Sequence, residues 1–331
     1  MTVLLTGGAG LVGTHVLAAL RARDQAARAL VRPDSRSVVE NFGAEAAIGD
    51  VTDPIAWELA SHGITAIIHA AAIVARRLPL AEFMRVNVGG TRLAVETARR
   101  LRVPLVHVST VAIYGRAVEP EAGGVSEDHP LQPLSEHDYY ARSKRAAEAM
   151  LRQEARQGDI AVIAIRPNVI YGERDNLFTN RVIATMRRRI LPRVGPGTNH
   201  LSCVYAGNVA SAILAALDAG HIPGFRAYNV TRDAAPLITQ REFFAEFSRG
   251  LGIRVAFPRV PVAVARAGAA LVGTALRVLH PGRYTGLADS AIWFLIGENP
   301  FLIDRIRAEL GWNPPFGTRA AIQRATAAAR S

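Results

Sequence analysis

The chain reads as an α/β protein with a doubly wound parallel sheet and a smaller C-terminal lobe, and three observations predict that arrangement. Short apolar, β-rich runs alternate with longer helical segments through the first half of the 331 residues, the order expected of strand–helix–strand units. The first strand runs straight into a glycine-rich turn that opens a helix. After Pro167 the pattern turns irregular, with Gly195-Pro196-Gly197, Pro223-Gly224 and Pro314-Pro315 as breakers. Residues 1–167 are therefore expected to form the sheet domain and 168–331 mainly the lobe, with some later segments, at about 201–230, returning to the sheet.

Taken in order, Thr2–Thr6, Ala27–Val31, Ala46–Ile48, Ala66–His69, Leu105–Ser109 and Ala161–Ile165 are short and apolar enough to be buried strands. The longer patterns His15–Arg23, Asn87–Leu101 and Tyr140–Gln157 fit helices between them. Val262–Leu279 is apolar and alanine-rich but too short, and with Arg266 and Arg277 too charged, to span a bilayer. It is expected to pack against its own protein; resting on a membrane surface and covering an apolar pocket are the alternatives.

The net charge of +11 invites a nucleic-acid reading. The arginines are spread along the chain and no aromatic-rich signature interleaves them, so no nucleic-acid partner is expected. The densest cluster, Arg181, Arg187, Arg188, Arg189 and Arg193, reads as a solvated helix face, with attraction of an acidic substrate or carrier as the alternative. A single cysteine, Cys203, excludes an internal disulfide, and no His or Cys pair has structural-zinc spacing, so no metal is expected. Met1-Thr2-Val3-Leu4-Leu5 lacks the basic region of a secretory signal, which predicts a cytoplasmic protein.

Strand one leads into Thr6-Gly7-Gly8-Ala9-Gly10-Leu11-Val12-Gly13. Gly7, Gly10 and Gly13 permit a tight turn and a close backbone approach to a pyrophosphate, which the following helix N-terminus at Leu11 and Val12 stabilises through free N–H groups. Spaced Gly-x-x-Gly-x-x-Gly rather than Gly-x-Gly-x-x-Gly, between a strand and a helix, the segment is expected to be a phosphate loop, with a plain turn of small-residue packing as the alternative. About twenty residues on, the second strand ends at Val31-Arg32-Pro33, where a carboxylate would serve the ribose 2′-hydroxyl of NAD and an arginine the 2′-phosphate of NADP. Arg32, with Arg36 nearby, favours NADP; Asp34 leaves NAD possible. Asp50, after the third strand, is placed to accept from an adenine amino group or to form a turn.

Lys144 is the one lysine among 39 cationic Lys and Arg residues. A site that keeps a lysine against so strong a preference for arginine calls for a compact ammonium. It follows Tyr140 by four residues, one helical turn. A phenol with a pKa near 10 needs a nearby cation to act as a base near neutrality, so Lys144 is expected to lower Tyr140.

These segments, with Asp50-Val51, His69-Ala70-Ala71, Asn87-Val88-Gly89-Gly90-Thr91, Ser109-Thr110-Val111-Ala112-Ile113-Tyr114-Gly115, Tyr140-Ala-Arg-Ser-Lys144 and Arg166-Pro167-Asn168-Val169-Ile170-Tyr171-Gly172 in order, resemble the extended short-chain dehydrogenase/reductase family over most of the chain. The resemblance implies an NAD(P)-dependent enzyme with Tyr140 as acid/base, Lys144 as its cation and holder of the ribose, and Thr110 as the substrate hydrogen-bonder. It places further cofactor contacts at Val51, Ala70, Ala71, Ala72, Asn87, Ser109, Pro167 and Val169, beside Gly7, Gly10, Leu11, Val12, Gly13, Arg32 and Asp50. Helices 87–101 and 140–157 commonly form a four-helix contact in the family, which implies a homodimer.

The reaction branch is narrowed by departures from the family pattern. Dehydratases carry an Asp-Glu pair after the threonine, where this chain has Val111-Ala112, so elimination lacks its acid and base. Nucleotide-sugar epimerases usually place an arginine where Leu201 stands, ahead of Val204-Tyr205. Leu201-Ser202-Cys203-Val204-Tyr205-Ala206-Gly207, Tyr228-Asn229-Val230-Thr231 and Leu310-Gly311-Trp312 look instead like the 3β-hydroxysteroid dehydrogenase-like subgroup, although Gly207 stands where that group usually has Asp. The expectation is an NADP-preferring ketoreductase or hydroxy dehydrogenase acting on an apolar small molecule through a substrate-binding C-terminal lobe. A nucleotide-sugar epimerase with retained NAD stays open, as does a non-catalytic NAD(P)-binding sensor or scaffold; the latter has no need of an acid/base phenol.

Overall fold

A computed structural model describes residues 2–74, 78–115, 123–156, 158–279 and 294–329. In the first half β1 (Thr2–Thr6), α1 (Leu11–Arg21), β2 (Ala26–Val31), α2 (Arg36–Asn41), β3 (Glu45–Ile48), α3 (Pro54–Ala60) and β4 (Ile64–His69) follow one another. Then come α4 (Leu80–Phe83), α5 (Gly90–Leu101), β5 (Leu105–Val108), α6 (Tyr139–Ala155) and β6 (Ala161–Pro167). Beyond lie β7 (Val169–Tyr171), α7 (Thr179–Met186), β8 (Arg193–Val194), β9 (Cys203–Tyr205), α8 (Ala206–Asp218), β10 (Gly224–Val230), α9 (Gln240–Leu251), β11 (Arg259–Val260), α10 (Val262–Leu279), α11 (Asp304–Leu310) and α12 (Thr318–Ala327).

Seven parallel strands form one sheet in the order β10-β6-β5-β4-β1-β2-β3. The expected α/β fold is the observed one. Strand order reverses between β1 and β4, and the crevice outside their C-terminal ends is where a doubly wound sheet binds a ligand. Both faces of the sheet are covered, which is why its strands are apolar without alternation. In β1 Leu5 packs toward Val16, Leu17 and Ile213 of α1 and α8, while its neighbour Leu4 packs on the other side with Trp57, Val95 and Leu151 of α3, α5 and α6. β10 pairs with β6 along its whole length, and α8 lies against α1.

Among the helices that the sequence pattern did not mark, α2 and α3 span only six and seven residues, too few for an apolar period to show. α3 begins with signals of its own: Asp53 accepts from the Ile55 N–H and Pro54 takes the first position. The helix expected at 87–101 begins as a π-helical turn, Met84–Gly89, that joins α4 to α5. α6 is capped by the Asp138 side chain on the Ala141 N–H; its expected last residue, Gln157, lies outside the described residues.

The C-terminal lobe has its own core, in which Tyr171, Ile183, Met186, Phe243, Phe247 and Ile322 bring α7, α9 and α12 together. Among the described residues no helix is long and apolar enough to cross a membrane, and no His/Cys/Asp/Glu cluster could hold a metal ion.

Candidate active site

The glycine loop sits at the reversal point. Gly7 holds a φ of +72°, and a Cβ there would lie 2.7 Å from the Ala71 nitrogen and 2.8 Å from the Ala70 carbonyl carbon. At Gly13 a Cβ would lie 2.1 Å from the Gly7 oxygen. Only glycine lets the loop, α1 and the turn after β4 close on one another. Gly10 precedes α1 with no side-chain cap, and the first helical bond runs from Thr14 N to Gly10 O (2.9 Å). The N–H groups of Leu11, Val12 and Gly13 therefore have no carbonyl partner inside the helix, the ordinary condition of a first turn. Ala70 and Ala71 are tied to β1 by bonds from their nitrogens to Thr6 O and Thr6 Oγ1, both 3.2 Å, and Ala72 follows them, half-buried.

At the far end of the crevice Arg32 closes β2, well exposed and 3.9 Å from Asp34. Arg36 is paired with Glu40 at 2.8 Å. Asp50 accepts from the Thr52 nitrogen (2.9 Å) and hydroxyl (2.7 Å). Burial pushes this carboxyl up, but the Thr52 bonds with the Arg85 and Arg32 charges outweigh it and leave it below its usual range. Val51 spends its carbonyl on the Trp57 indole N–H (2.8 Å).

The hydroxyl cluster lies where β5 and α6 meet. Thr110 leaves β5 in an extended conformation and caps the turn Val111–Tyr114 through the Ala112 N–H (3.2 Å), with its side chain beside that of Tyr140. Tyr140 is half-buried; burial pushes its phenol up to about 12, offset in part by the neighbouring Thr110 side chain. Lys144 is fully buried, and burial draws its ammonium down to about 7, with Glu148 opposing. Its Nζ donates to Val108 O (2.6 Å) and meets His107 Nε2 at 3.2 Å. The expected lowering of Tyr140 by Lys144 is not what the structure shows: the ammonium is directed toward β5, and desolvation dominates the phenol.

A family model described as the NAD dependent epimerase/dehydratase family matches residues 3–231, well over half of the chain. The chain belongs to that family, among the extended short-chain dehydrogenases/reductases. Its similarity to a 4-hydroxy-2-methyl-3-oxo-4-farnesyl-3,4-dihydroquinoline-1-oxide ketoreductase of Stigmatella aurantiaca is 32% identity, covering 94% of this chain and 92% of the relative. An N-acetyl-alpha-D-glucosaminyl-diphospho-ditrans,octacis-undecaprenol 4-epimerase of Escherichia coli O157:H7 is 28% identical, over 78% of this chain and 75% of the other. Among solved structures, the crystal structure of gox2253 superposes with a TM-score of 0.76 at 25% identity, covering 99% of this chain and 98% of that one.

The cofactor of an epimerase/dehydratase family member fits this loop. A dinucleotide's pyrophosphate needs close backbone and unpartnered N–H groups, and the turn from Gly7 to Gly13, too tight for a Cβ at either end, offers both. Other expected contacts are otherwise engaged. Asn87 uses its carboxamide on the loop after β4, donating to Ile73 O (3.1 Å) and accepting from Ile73 N (2.7 Å), and donates to Ser143 Oγ at 3.0 Å. It holds the Ala70–Ala72 turn against α6. Ser109 donates to Glu148 (2.7 Å), away from the Thr110 hydroxyl. Pro167 closes β6 opposite Val230, and Val169 opens β7 beside Cys203.

Several groups around the site escape sequence reading. His69 and His107 are partners across β4 and β5 and stack at 5.5 Å, and each keeps one buried ring nitrogen unpaired. Glu148 receives the Arg166 guanidinium as a buried ion pair beneath the cluster. Glu173 accepts from Tyr205 Oη (2.9 Å) and meets His15 of α1 at 3.2 Å. That link also accounts for Gly207: a Cβ there would lie 2.4 Å from the Tyr205 ring, so an aspartate would displace it.

Proposed function

We propose that this family member is a ketoreductase or hydroxy dehydrogenase that prefers NADP and acts on an apolar carbonyl or alcohol compound. The observation that carries the reading is the Thr110 side chain set beside the Tyr140 phenol at the C-terminal edge of the sheet, with Lys144 one turn along α6. A phenol with a pKa of about 12 is protonated at neutral pH and suited to donate, which is what a carbonyl oxygen needs as it becomes an alcohol. A bound nicotinamide cofactor would supply the hydride to the carbonyl carbon. Tyr140 Oη gives its proton to the oxygen, and Thr110 Oγ positions that oxygen by hydrogen bonding. Lys144 would hold the ribose hydroxyls and, once turned from Val108 O, restore the proton-donating state of Tyr140. Gly7, Gly10, Leu11, Val12 and Gly13 would hold the pyrophosphate, and Arg32 the 2′-phosphate.

Residues 1–167 with 201–230 would carry the cofactor, and the rest of 168–331 the substrate. A 32%-identical relative over 94% of the chain is named as a ketoreductase of a farnesylated oxo compound, which supports an apolar ketone. The epimerase reading has the second relative in its favour. Against it, Leu201 is buried in the lobe core where a diphosphate-clamping arginine would be needed. A homodimer through α5 and α6 belongs to the same proposal.

The test is NADPH and NADH oxidation against a panel of apolar ketones, with nucleotide sugars in parallel. Turnover of a ketone with NADPH favoured is expected, and Tyr140→Phe should lower kcat by about 10²–10⁴-fold. Unchanged turnover in Tyr140→Phe would remove the catalytic assignment. Sugar epimerisation without net cofactor oxidation would select the second reading.

A further inference from the structure

α10 lies almost bare on the lobe. On an 18-residue helix turning about 100° per residue, Val262, Ala265 and Ala269 share one side and are half-buried, so they face the protein. Val264, Ala267, Leu271 and Ala275 share the opposite side and are exposed. Val264 is 60% exposed, Leu271 73% and the neighbouring Val272 51%. The outward stripe is apolar over three turns and carries no charge.

The approach to this helix is strongly basic. β8 and β11 pair in parallel with Arg193 opposite Arg259, and Ala256 N donates to Arg189 O in the same ribbon. Arg188, Arg189, Arg254 and Arg259 are exposed there and form no ion pair among the described residues; Ile190, 48% exposed, lies among them. The ribbon runs directly into Pro261 and α10, and Gly195 at its end sits against the Val262 side chain. No carboxylate occurs in the sequence between Asp175 and Asp218, or between Glu246 and Asp289. An apolar stripe and an unneutralised cationic ribbon are thus continuous.

We propose that this face, α10 with the β8–β11 arginines, docks on an anionic phospholipid surface. Acyl chains would receive Val264, Leu271 and Val272, and phosphates the arginines, as for a helix lying in the headgroup plane. A second copy matches the face less well, because a two-fold contact would add the partner's arginines to the same face and bring no carboxylate from it to neutralise them.

The full chain should float with vesicles of mixed phosphatidylglycerol and phosphatidylcholine, not with phosphatidylcholine alone, and release as salt rises. Each arginine near the surface is worth roughly fivefold, so Arg188→Glu with Arg189→Glu should weaken binding by more than about tenfold. Leu271→Glu, at an exposed position, should weaken it too while leaving the melting temperature unchanged. Equal binding to both vesicle types, or full binding by both variants, would overturn the proposal. So would a Leu271→Glu change that turns a dimer into a monomer in light scattering and leaves vesicle binding intact, since the face would then belong to a second copy. Binding is read without cofactor or substrate, so it stands apart from the reaction proposed above.

Discussion

Around Lys144 the protein has placed neutral nitrogen rather than carboxylate in direct contact. His107 Nε2 receives the ammonium, and His69 stacks behind it. Burial holds His69 down to about 3, and burial with the Lys144 charge holds His107 well below its ordinary range. A histidine kept neutral in the fold and charged when unfolded binds more protons in the unfolded state. Its contribution is therefore complete above pH 6.5 and is lost as pH falls toward 3. For His69 the loss across that window is about 5 kcal/mol. Urea midpoints between pH 7 and pH 4 should fall, and the fall should be shallower in His69→Asn; parallel curves would remove the explanation. Lys144 runs the same way at higher pH: drawn down to about 7, it adds stability as pH rises from 7 toward 10.5. Its isolation and its spacing from Tyr140 were legible in the sequence. The histidine pair was not, because it depends on the β4–β5 register that sets His69 opposite His107.

At the scale of elements, α6 does more than present Tyr140. One turn beyond Lys144 it offers Glu148 to Arg166 of β6, and Arg166 in turn donates to Tyr114 Oη (2.7 Å) and Glu127 O (3.0 Å). Helix, strand and the turn after Thr110 are joined by one buried charge pair. Removing one member leaves the other uncompensated, so Glu148→Leu should cost about 3–5 kcal/mol. Chemical denaturation measures it, and a loss under about 1 kcal/mol would show that the pair is not buried in solution. Arg166 is visible in the sequence as a motif residue, but its partner is not, since nothing in the intervening residues marks the pairing. The π-helical turn at 84–89 is likewise unreadable from periodicity, although it is what directs Asn87 onto Ile73 and Ser143. Helices of six or seven residues hide because they are too short to show an apolar period.

Across the whole molecule, the reversal of strand order at β1 and β4 makes cofactor binding a property of the sheet rather than of one loop. A ligand bound only by the folded state at about a hundred times its Kd adds about 2.7 kcal/mol. NADPH should therefore raise the melting temperature, and more than NADH at equal concentration if Arg32 meets a 2′-phosphate. Gly13→Ala should abolish the rise and lower the starting temperature, because its Cβ would lie 2.1 Å from Gly7 O. A variant that keeps the full NADPH shift would show that the cofactor lies elsewhere. The sheet was legible because buried parallel strands must be apolar and must alternate with helices. The C-terminal lobe was not, because its contacts join α7, α9 and α12 from distant parts of the chain.

The pairing of β10 with β6, and of α8 with α1, has a practical consequence. A chimera spliced after Pro167 would strip the sheet of its last strand, leave β6 with a raw hydrogen-bonding edge and uncover Leu17 and Leu20. Specificity grafts between relatives must instead treat Cys203–Val230 as native stock and exchange only the pieces on either side of it.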